Sequence, residues 1–313
     1  MKKIYTRLHV SPGMLRNRQV LLKGVFLSPF YWLLAWIRRG KGLGFHLRIA
    51  ALGLRLWVRR RVGRSEAYWY AFFPMDSVRY LEFDILWHFL KGQRPRGRYL
   101  DVSSPRWFPI LVHYAFGDLT GDFVNPDGKD LSSTEALLNR LGLSNRCHLH
   151  RENIDGMRFP DNTFDLITCI SVVEHIPDGG DRIAVSTLWR LLAPGGRLLI
   201  TVPVSCKGFE EYIDYDEYKL VRRDENGFVF GQYFYDDEAI HERILTVTGL
   251  PAQSAIFGEV RKGIFFRNRE RKLKDPAYPF WREPYMMTAE YARFPSVKDL
   301  PGVGVIAMEF RKP

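Results

Sequence analysis

Short apolar runs alternate with helix-like segments from about residue 98 to the end of the chain, and this alternation constrains the fold more than any other feature. The run FDLITCI at 164–170 is continuously apolar, as in strands that are buried on both faces of a sheet. A succession of strands and helices favours a parallel sheet covered by helices. We therefore predict an α/β fold with strands at 98–103, 119–124, 147–150, 164–170, 197–202, 252–260 and 302–311.

The segments between these strands have the pattern of helices. Ser132 and Glu135 have the spacing of a capping box, which predicts that one helix begins at Ser132. A Pro194-Gly195-Gly196 turn ends another helix, because glycine lets the chain reverse without a Cβ clash. The predicted helices cover 76–90, 107–116, 132–141, 181–192 and 235–247.

The net charge of +11 originates in the first 65 residues. They contain 15 Lys and Arg residues and no Asp or Glu, which leaves 31 basic and 35 acidic residues in the remaining 248. Since that remainder has a net charge of −4, it gives no electrostatic reason to bind nucleic acid. We divide the chain into a basic, apolar helical arm at 1–65 and an α/β domain at 66–313.

The first apolar part of the arm is VLLKGVFLSPFYWLLAWI at 20–37, which is uncharged only from 24 to 37. A helix that spans a bilayer needs about 20 apolar residues, and Pro29 is expected to kink a helix. We therefore predict that this segment is too short and too broken to cross a membrane. Its Phe, Tyr and Trp residues suit the headgroup boundary.

The second apolar part, at 43–58, places Arg48, Arg55 and the following Arg59 on one helical face, with leucines and Trp57 over most of the rest. A helix of this composition can lie in a membrane interface. We favour contact between the arm and a membrane surface. Packing of these helices on the rest of the chain and a cleaved organelle presequence remain alternatives.

The three cysteines indicate a reducing compartment. Cys147, Cys169 and Cys206 form no C-x-x-C pair and fit neither a disulfide framework nor a zinc site. We therefore expect a cytoplasmic protein without a metal, peripheral on the inner face of a membrane if the arm makes the membrane contact.

Two stretches carry a family resemblance. FPDNTFDLITCISVVEHIPD at 159–178, followed by LWRLLAPGGRLLITVP at 188–203, resembles the class I S-adenosylmethionine-dependent methyltransferases. The resemblance is greatest to the small-molecule branch that includes the ubiquinone-biosynthesis O-methyltransferases. It implies a Rossmann-like, doubly wound, mostly parallel sheet of seven strands with an antiparallel last strand. It also implies S-adenosyl-L-methionine as the cofactor.

The first motif departs from that family's pattern. Where the family usually has an acid followed by glycines, this chain has Asp101-Val102-Ser103-Ser104-Pro105. A tight bend is still expected, because serine is small and proline fixes a turn from which a helix can begin. We assign Asp101, Ser103 and Ser104 to cofactor binding. The same departure keeps open an alternative, a catalytically degenerate, membrane-docked binding or scaffold protein of the same fold.

The other cofactor residues are assigned at the ends of the next strands, where open α/β sheets bind ligands. Asp122 is the candidate for the ribose hydroxyls, since a carboxylate can accept two hydrogen bonds from a diol, and Asn125 is the second candidate. The resemblance implies that Asn153 and Ile154 meet the adenine, with Asn153 in place of the family's usual Asp. Ser171 lines the edge after the strand at 164–170.

Glu174 and His175 are the candidates for catalysis on the acceptor. A histidine near its free pKa can take the proton of a hydroxyl group as the methyl group is transferred. The alternative is that the pair only orders the following turn. In the preceding helix at 76–90, Arg79, Tyr80 and Glu82 are possible cofactor-facing residues, although core packing is the commoner outcome.

Two insertions, at about 204–234 and 261–300, are expected to cover the acceptor. Both are rich in aromatic residues, and tyrosines suit a sugar or phenolic ligand. The function predicted from the sequence is methyl transfer, by O-methylation, to a small-molecule or a lipid- or sugar-linked acceptor. An RNA methyltransferase that uses the arm to hold RNA is a less favoured alternative, because the first insertion is acidic.

Overall fold

The structure is a computed structural model that describes residues 1–8, 18–215 and 223–313. Its strands form two sheets. The strands are β1 (Lys2–Thr6), β2 (Gly97–Val102), β3 (Leu119–Val124), β4 (Cys147–His150), β5 (Phe164–Ile170), β6 (Leu192–Ser205), β7 (Phe209–Ile213), β8 (Val229–Phe234), β9 (Gln253–Glu259), β10 (Tyr291–Phe294) and β11 (Val303–Arg311).

Helices connect these strands. They are α1 (Arg18–Ile37), α2 (Leu43–Val58), α3 (Arg64–Phe72), α4 (Arg79–Lys91), α5 (Trp107–Ala115), α6 (Gly128–Leu141), α7 (Gly180–Leu191), α8 (Asp237–Ile240), α9 (Thr246–Thr248), α10 (Ile264–Lys274) and α11 (Glu283–Glu290). A π-helical turn, His241–Leu245, joins α8 to α9, so the helix predicted at 235–247 is present but irregular.

The larger sheet has eight strands in the order β10-β9-β11-β6-β5-β2-β3-β4. The pairs β6-β5, β5-β2, β2-β3 and β3-β4 are parallel, and β11 is antiparallel to both β6 and β9. This confirms the predicted Rossmann-like sheet with an antiparallel last strand. The seven expected strands are extended by β10, an edge strand that comes from the insertion at 261–300.

The smaller sheet has the order β1-β7-β8, with β1 parallel to β7 and β7 antiparallel to β8. Strands β7 and β8 come from the insertion at 204–234, whereas β1 is the N-terminal end of the chain. The predicted helical arm therefore begins with a strand that pairs more than 200 residues away, for example Ile4 with Glu211.

The first arm helix differs from its prediction. α1 continues through Pro29 for 20 residues, so the predicted break is wrong. A proline removes one backbone donor, and the remaining bonds of a long helix can hold the helix together. By length and composition alone, α1 is the single helix in the described part of the chain that could cross a membrane.

Both arm helices contact the rest of the chain. α1 lies against α11 and the turn Phe280–Arg282, while α2 lies against α3 and α4. The face of α2 that includes Phe45, Ile49 and Leu52 is buried in the same apolar cluster as α4. A second cluster of buried side chains includes strands β5 and β6 and helix α7.

The capping prediction at Ser132 is also wrong. Helix α6 begins at Gly128, because the Asp127 side chain accepts hydrogen bonds from the backbone N–H groups of Lys129 and Asp130. Ser132 lies inside the helix, where its hydroxyl donates to the Gly128 carbonyl. Asp127 therefore caps the helix, and Ser132 and Glu135 do not form a capping box.

Candidate functional site

The first part of the site lies at the carboxyl ends of β2, β3 and β5. The residues that follow two of these strands, Ser103 and Ser171, are in the left-handed region, with φ of 51° and 49°. This conformation is unusual for a residue other than glycine. The backbone N–H of Ser103 donates to the Val124 carbonyl at 2.8 Å, which holds the bend. The bend after β2 is thus formed by Ser103, at a position where the methyltransferases that this chain resembles usually have glycine.

Asp101 and Ser104 hold this turn from inside. The buried Asp101 carboxylate accepts from the Thr168 hydroxyl at 2.6 Å and from the Ser104 backbone N–H at 3.2 Å. The Ser104 hydroxyl in turn accepts from the backbone N–H of Ile170 at 3.1 Å. Burial raises the pKa of Asp101 to about 7. Both residues are therefore bonded within the protein, and their predicted cofactor contacts stay a prediction.

The Asp122 carboxylate is bonded within the protein, and its predicted contact with the ribose stays a prediction. Asp122 lies within β3 and is buried, and its two carboxylate oxygens accept from Arg98 and from His150, each at 2.9 Å. The strand continues to Val124, so the residue at the sheet edge is Asn125, the second candidate. The Asn125 amide donates to Asp130 at 3.0 Å.

The predicted adenine residues have different surroundings. Asn153 is exposed and precedes a 3₁₀ turn, Ile154–Gly156, and Ile154 is buried in the cluster that contains Val102 and Val124. Ser103 and Asn125 are half-buried. Polar groups of Ser103, Asn125 and Asn153 therefore reach the surface at one sheet edge, beside the bend. This arrangement fits a nucleoside cofactor.

The second part of the site is a cavity of about 450 Å³. Its walls come from the turn after β5, the start of α4, both strands of the first insertion, α10, and the N-terminal segment. The lining includes Leu8, Asp76, Arg79, Glu82, Ser171, Glu174, His175, Glu211, Tyr215, Gln232, Phe234, Phe265, Arg269, Lys272 and Tyr291. The structure thus brings the predicted residues Ser171, Glu174 and His175 together at one cavity.

Glu174 and His175 lie on a 3₁₀ turn, Val173–His175, and burial favours the uncharged form of both. Burial raises the pKa of Glu174 to about 8, and one of its oxygens, Oε2, has no hydrogen-bond partner among the described residues. Burial lowers the pKa of His175 to about 4. The His175 Nδ1 lies 2.6 Å from the Gly231 carbonyl, so Nδ1 carries the proton and Nε2 the lone pair. The expectation of a histidine near its free pKa is therefore wrong.

Glu82 joins helix α4 to the edge of the sheet. Its Oε1 accepts from the hydroxyls of Ser171 and Thr201, and its Oε2 pairs with Arg79. Arg79 and Glu82 line the cavity, and whether they face the cofactor stays a prediction. Tyr80 does not, since its buried hydroxyl bonds with the Nδ1 of His46 at 2.8 Å.

A buried network around Glu211 was missed by the sequence analysis. Its carboxylate accepts from Thr6 on β1 at 2.8 Å, from Gln232 on β8 at 2.9 Å and from Arg269 on α10 through two bonds. Burial acts to raise the pKa of Glu211, but the bonds and charge of Arg269 outweigh burial, and the pKa lies below its usual value. Glu211 joins three walls of the cavity. The acidic run in the first insertion gave no sign of which acid would be buried.

Comparisons with known proteins find a methyltransferase match in the middle of the chain. Residues 117–200 match a family model described as a methyltransferase domain. The chain is 34% identical over 96 residues to the ubiquinone/menaquinone biosynthesis C-methyltransferase UbiE of Pseudoalteromonas translucida, covering 27% of this chain and 38% of that protein. For the Escherichia coli O1:K1 protein of the same name, identity is 32% over 115 residues, covering 32% and 45%. The chain thus spans less than half the length of these relatives.

Among solved structures, a geranyl diphosphate C-methyltransferase from Streptomyces coelicolor A3(2) has a TM-score of 0.46 at 10% identity, covering 73% of this chain and 80% of that one. The sequence match over residues 117–200 points to the class of protein. This part of the chain is similar to a methyltransferase domain, in agreement with the resemblance to class I S-adenosylmethionine-dependent methyltransferases. The named relatives are C-methyltransferases, whereas the sequence analysis expected O-methylation.

Proposed function

We propose that this chain transfers the methyl group of S-adenosylmethionine to a hydroxyl group of a small-molecule or lipid- or sugar-linked acceptor. The observation that carries the proposal is the cavity of about 450 Å³, which shares Ser171 with the sheet edge and is lined by Glu174 and His175. Its volume is typical of small-molecule sites. The methyltransferase domain supports the reaction class.

In this proposal the cofactor lies at the sheet edge. The backbone bend at Ser103, the amides of Asn125 and Asn153, and the Ser171 turn would hold S-adenosylmethionine, which supplies an electrophilic methyl group when it is bound. Asn125 and Asp122 both remain candidates for the ribose, since each side chain is bonded within the protein, Asp122 to Arg98 and His150, and Asn125 to Asp130 and the Asp127 backbone N–H.

The acceptor's proton goes to Glu174 in this proposal. Only the ionised form of Glu174 can take this proton, and with a pKa of about 8 roughly a tenth of the molecules carry that form at pH 7. This ionised carboxylate is a stronger base than an imidazole whose pKa is about 4. His175 lies beside this base, with its Nε2 atom 3.9 Å from the Oε1 atom of Glu174. Since alignment of the two reactants supplies much of the rate of such transfers, His175 is the positioning residue and Glu174 the base.

Cofactor binding tests the enzymatic part of the proposal. Titration of the full chain with S-adenosylhomocysteine in a calorimeter should give a saturable binding heat and a raised melting temperature. Absence of both would contradict methyl transfer and would favour the degenerate binding or scaffold protein.

We also propose that the arm docks the protein on the cytoplasmic face of a membrane. The exposed large apolar side chains of α1 and α2 are Leu22, Val25, Phe26, Leu27, Phe30, Leu33, Trp36, Ile37, Leu47, Leu54, Trp57 and Val58. Exposed apolar surface of this extent marks an interaction site. Exposed arginines follow each helix, at Arg38 and Arg39 and at 59–61, and they suit anionic lipid headgroups.

A flotation experiment with the full chain tests the docking. The protein should float with vesicles that contain phosphatidylglycerol, and double-stranded RNA should not compete. Binding of RNA with a steep dependence on salt, without flotation, would instead favour the RNA-binding alternative.

A further inference from the structure

We infer that the cavity takes an acceptor whose head group is uncharged and rich in hydroxyl groups, such as a sugar, and that Glu174 is its hydrogen-bond partner. The inference rests on the proposed function and narrows the acceptor class. It comes from the balance of charges along the cavity wall.

Every cation among the described lining residues is paired with an acid. Arg269 makes a two-bond ion pair with Glu211, and Arg79 pairs with Glu82. The third cation, Lys272, pairs with Asp76. An anionic head group at Arg269 or Arg79 would have to displace Glu211 or Glu82, and a buried carboxylate that loses its partner costs several kcal/mol.

Glu174 and His175 also line the cavity, and burial shifts the pKa of each toward its uncharged form, so that both are mainly neutral at pH 7. Glu174 holds its proton and His175 lacks its second one. The described part of the lining is therefore electrically balanced. Among the described residues a cationic head group would find no free anion until Glu174 ionises. The buried Oε2 atom of Glu174, which has no partner among them, could bond a neutral hydroxyl group after a rotation of the carboxyl group.

The charged and polar groups that act on Glu174 come from several elements. They are Arg79 and Glu82 on α4, Cys169 on β5, Ser171 and His175 beside it, and Tyr235 after β8. Arg79 favours ionisation of Glu174 and Glu82 opposes it, so burial is left as the main cause of the neutral form. The net charge of the described lining therefore changes near pH 8, where Glu174 loses its proton.

Three probes with one alkyl chain test the inference: n-hexyl β-D-glucoside, n-hexyl phosphate and n-hexylammonium. Their binding to the full chain is measured by saturation-transfer NMR at pH 7. We expect the glucoside to bind at least tenfold more tightly than either charged probe. Tighter binding of the phosphate or the ammonium probe at pH 7 would overturn the inference.

Two variants locate the binding. Glu174→Gln copies the protonated carboxyl group, so it should keep the glucoside affinity within about threefold, while Glu174→Ala should lose tenfold or more. Between pH 7 and pH 9 hexylammonium should gain affinity for the wild-type chain, because Glu174 ionises, and should gain none for Glu174→Gln. An unchanged glucoside affinity in Glu174→Ala, or the same ammonium gain in both chains, would contradict the assignment.

The inferred acceptor class and the proposed function can fail independently of each other. Titration with S-adenosylhomocysteine reports on the sheet edge alone, and the probes report on the cavity alone. Glucoside binding without cofactor binding would retain the neutral cavity and reject methyl transfer, whereas the converse would reject only the acceptor class.

Discussion

The Ser104→Ala variant tests whether side chains hold the bend that lacks glycine. The ladder between β2 and β5 ends with the pair Asp101–Thr168, so the backbone N–H of Ile170 lies beyond the last paired residue. The Ser104 hydroxyl accepts from that N–H at 3.1 Å, and Ser104 is only 3% exposed. Alanine would leave a buried donor without a partner, which costs about 1–3 kcal/mol.

The loss of this hydrogen bond should also weaken cofactor binding. If the loosened turn must be reordered when the ligand binds, the Kd for S-adenosylhomocysteine rises by up to roughly 5- to 150-fold. The free energy of unfolding is measured in urea and the Kd by calorimetry, for Ser104→Ala and for the control Ser132→Ala. Ser132 is exposed on α6, and its replacement by a good helix former should change either quantity little.

Ser103→Gly completes this set of variants. Ser103 has a φ of 51°, which glycine adopts without the steric cost, so this variant should be at least as stable as the wild type and should keep its affinity. Equal unfolding energies and equal Kd values for Ser104→Ala and Ser132→Ala would refute the reasoning, because the hydroxyl would then have no structural role.

Two further predictions concern the arm and the Glu211 network. The double variant Phe26→Ser, Trp36→Ser removes two of the most exposed apolar side chains, which are 77% and 70% exposed. It should reduce flotation with anionic vesicles at least fivefold without lowering the melting temperature. Unchanged flotation would contradict docking through α1. Glu211→Gln should destabilise the chain by about 3 kcal/mol, since it leaves Arg269 without its anion, whereas Glu210→Gln should change little; equal melting temperatures for the two variants would contradict this. Because the pKa of Glu211 is lowered in the folded state, its contribution to the free energy of unfolding is present above about pH 4.5 and is lost as the pH falls further. Unfolding measured at successive pH values should show this loss only in chains that retain Glu211.

The sheet could be predicted from the sequence because its strands are local patterns. The continuous apolar run at 164–170 became β5 with the same bounds, and 119–124 became β3. Strand β1 could not be predicted, since KKIYT has no apolar periodicity and its partner β7 is separated from it by more than 200 residues. Such pairing depends on tertiary contacts, which a single sequence does not report.

The site was predicted where it depends on a motif and missed where it depends on burial. Glu174 and His175 lie at the cavity as predicted, because their position after a buried strand fixes where they emerge. Their pKa values could not be inferred, since these are set by walls that come from both insertions and the N-terminus. The bounds of β3 were predicted correctly, but they could not show that the Asp122 carboxylate is bonded to Arg98 and His150.

The arm and the cavity are neighbours, which bears on how a lipid-linked acceptor would be reached. Lys272, on the cavity wall, lies over the Phe73 ring, and Phe73 packs on Phe280 with ring centroids 5.4 Å apart. Phe280 belongs to the apolar cluster that contains Val20 of α1. The rings of Phe73 and Phe280 therefore lie between Lys272 on the cavity wall and the buried side of α1. If α1 docks on a membrane as proposed, the cavity wall is joined to the docked helix through these packed side chains.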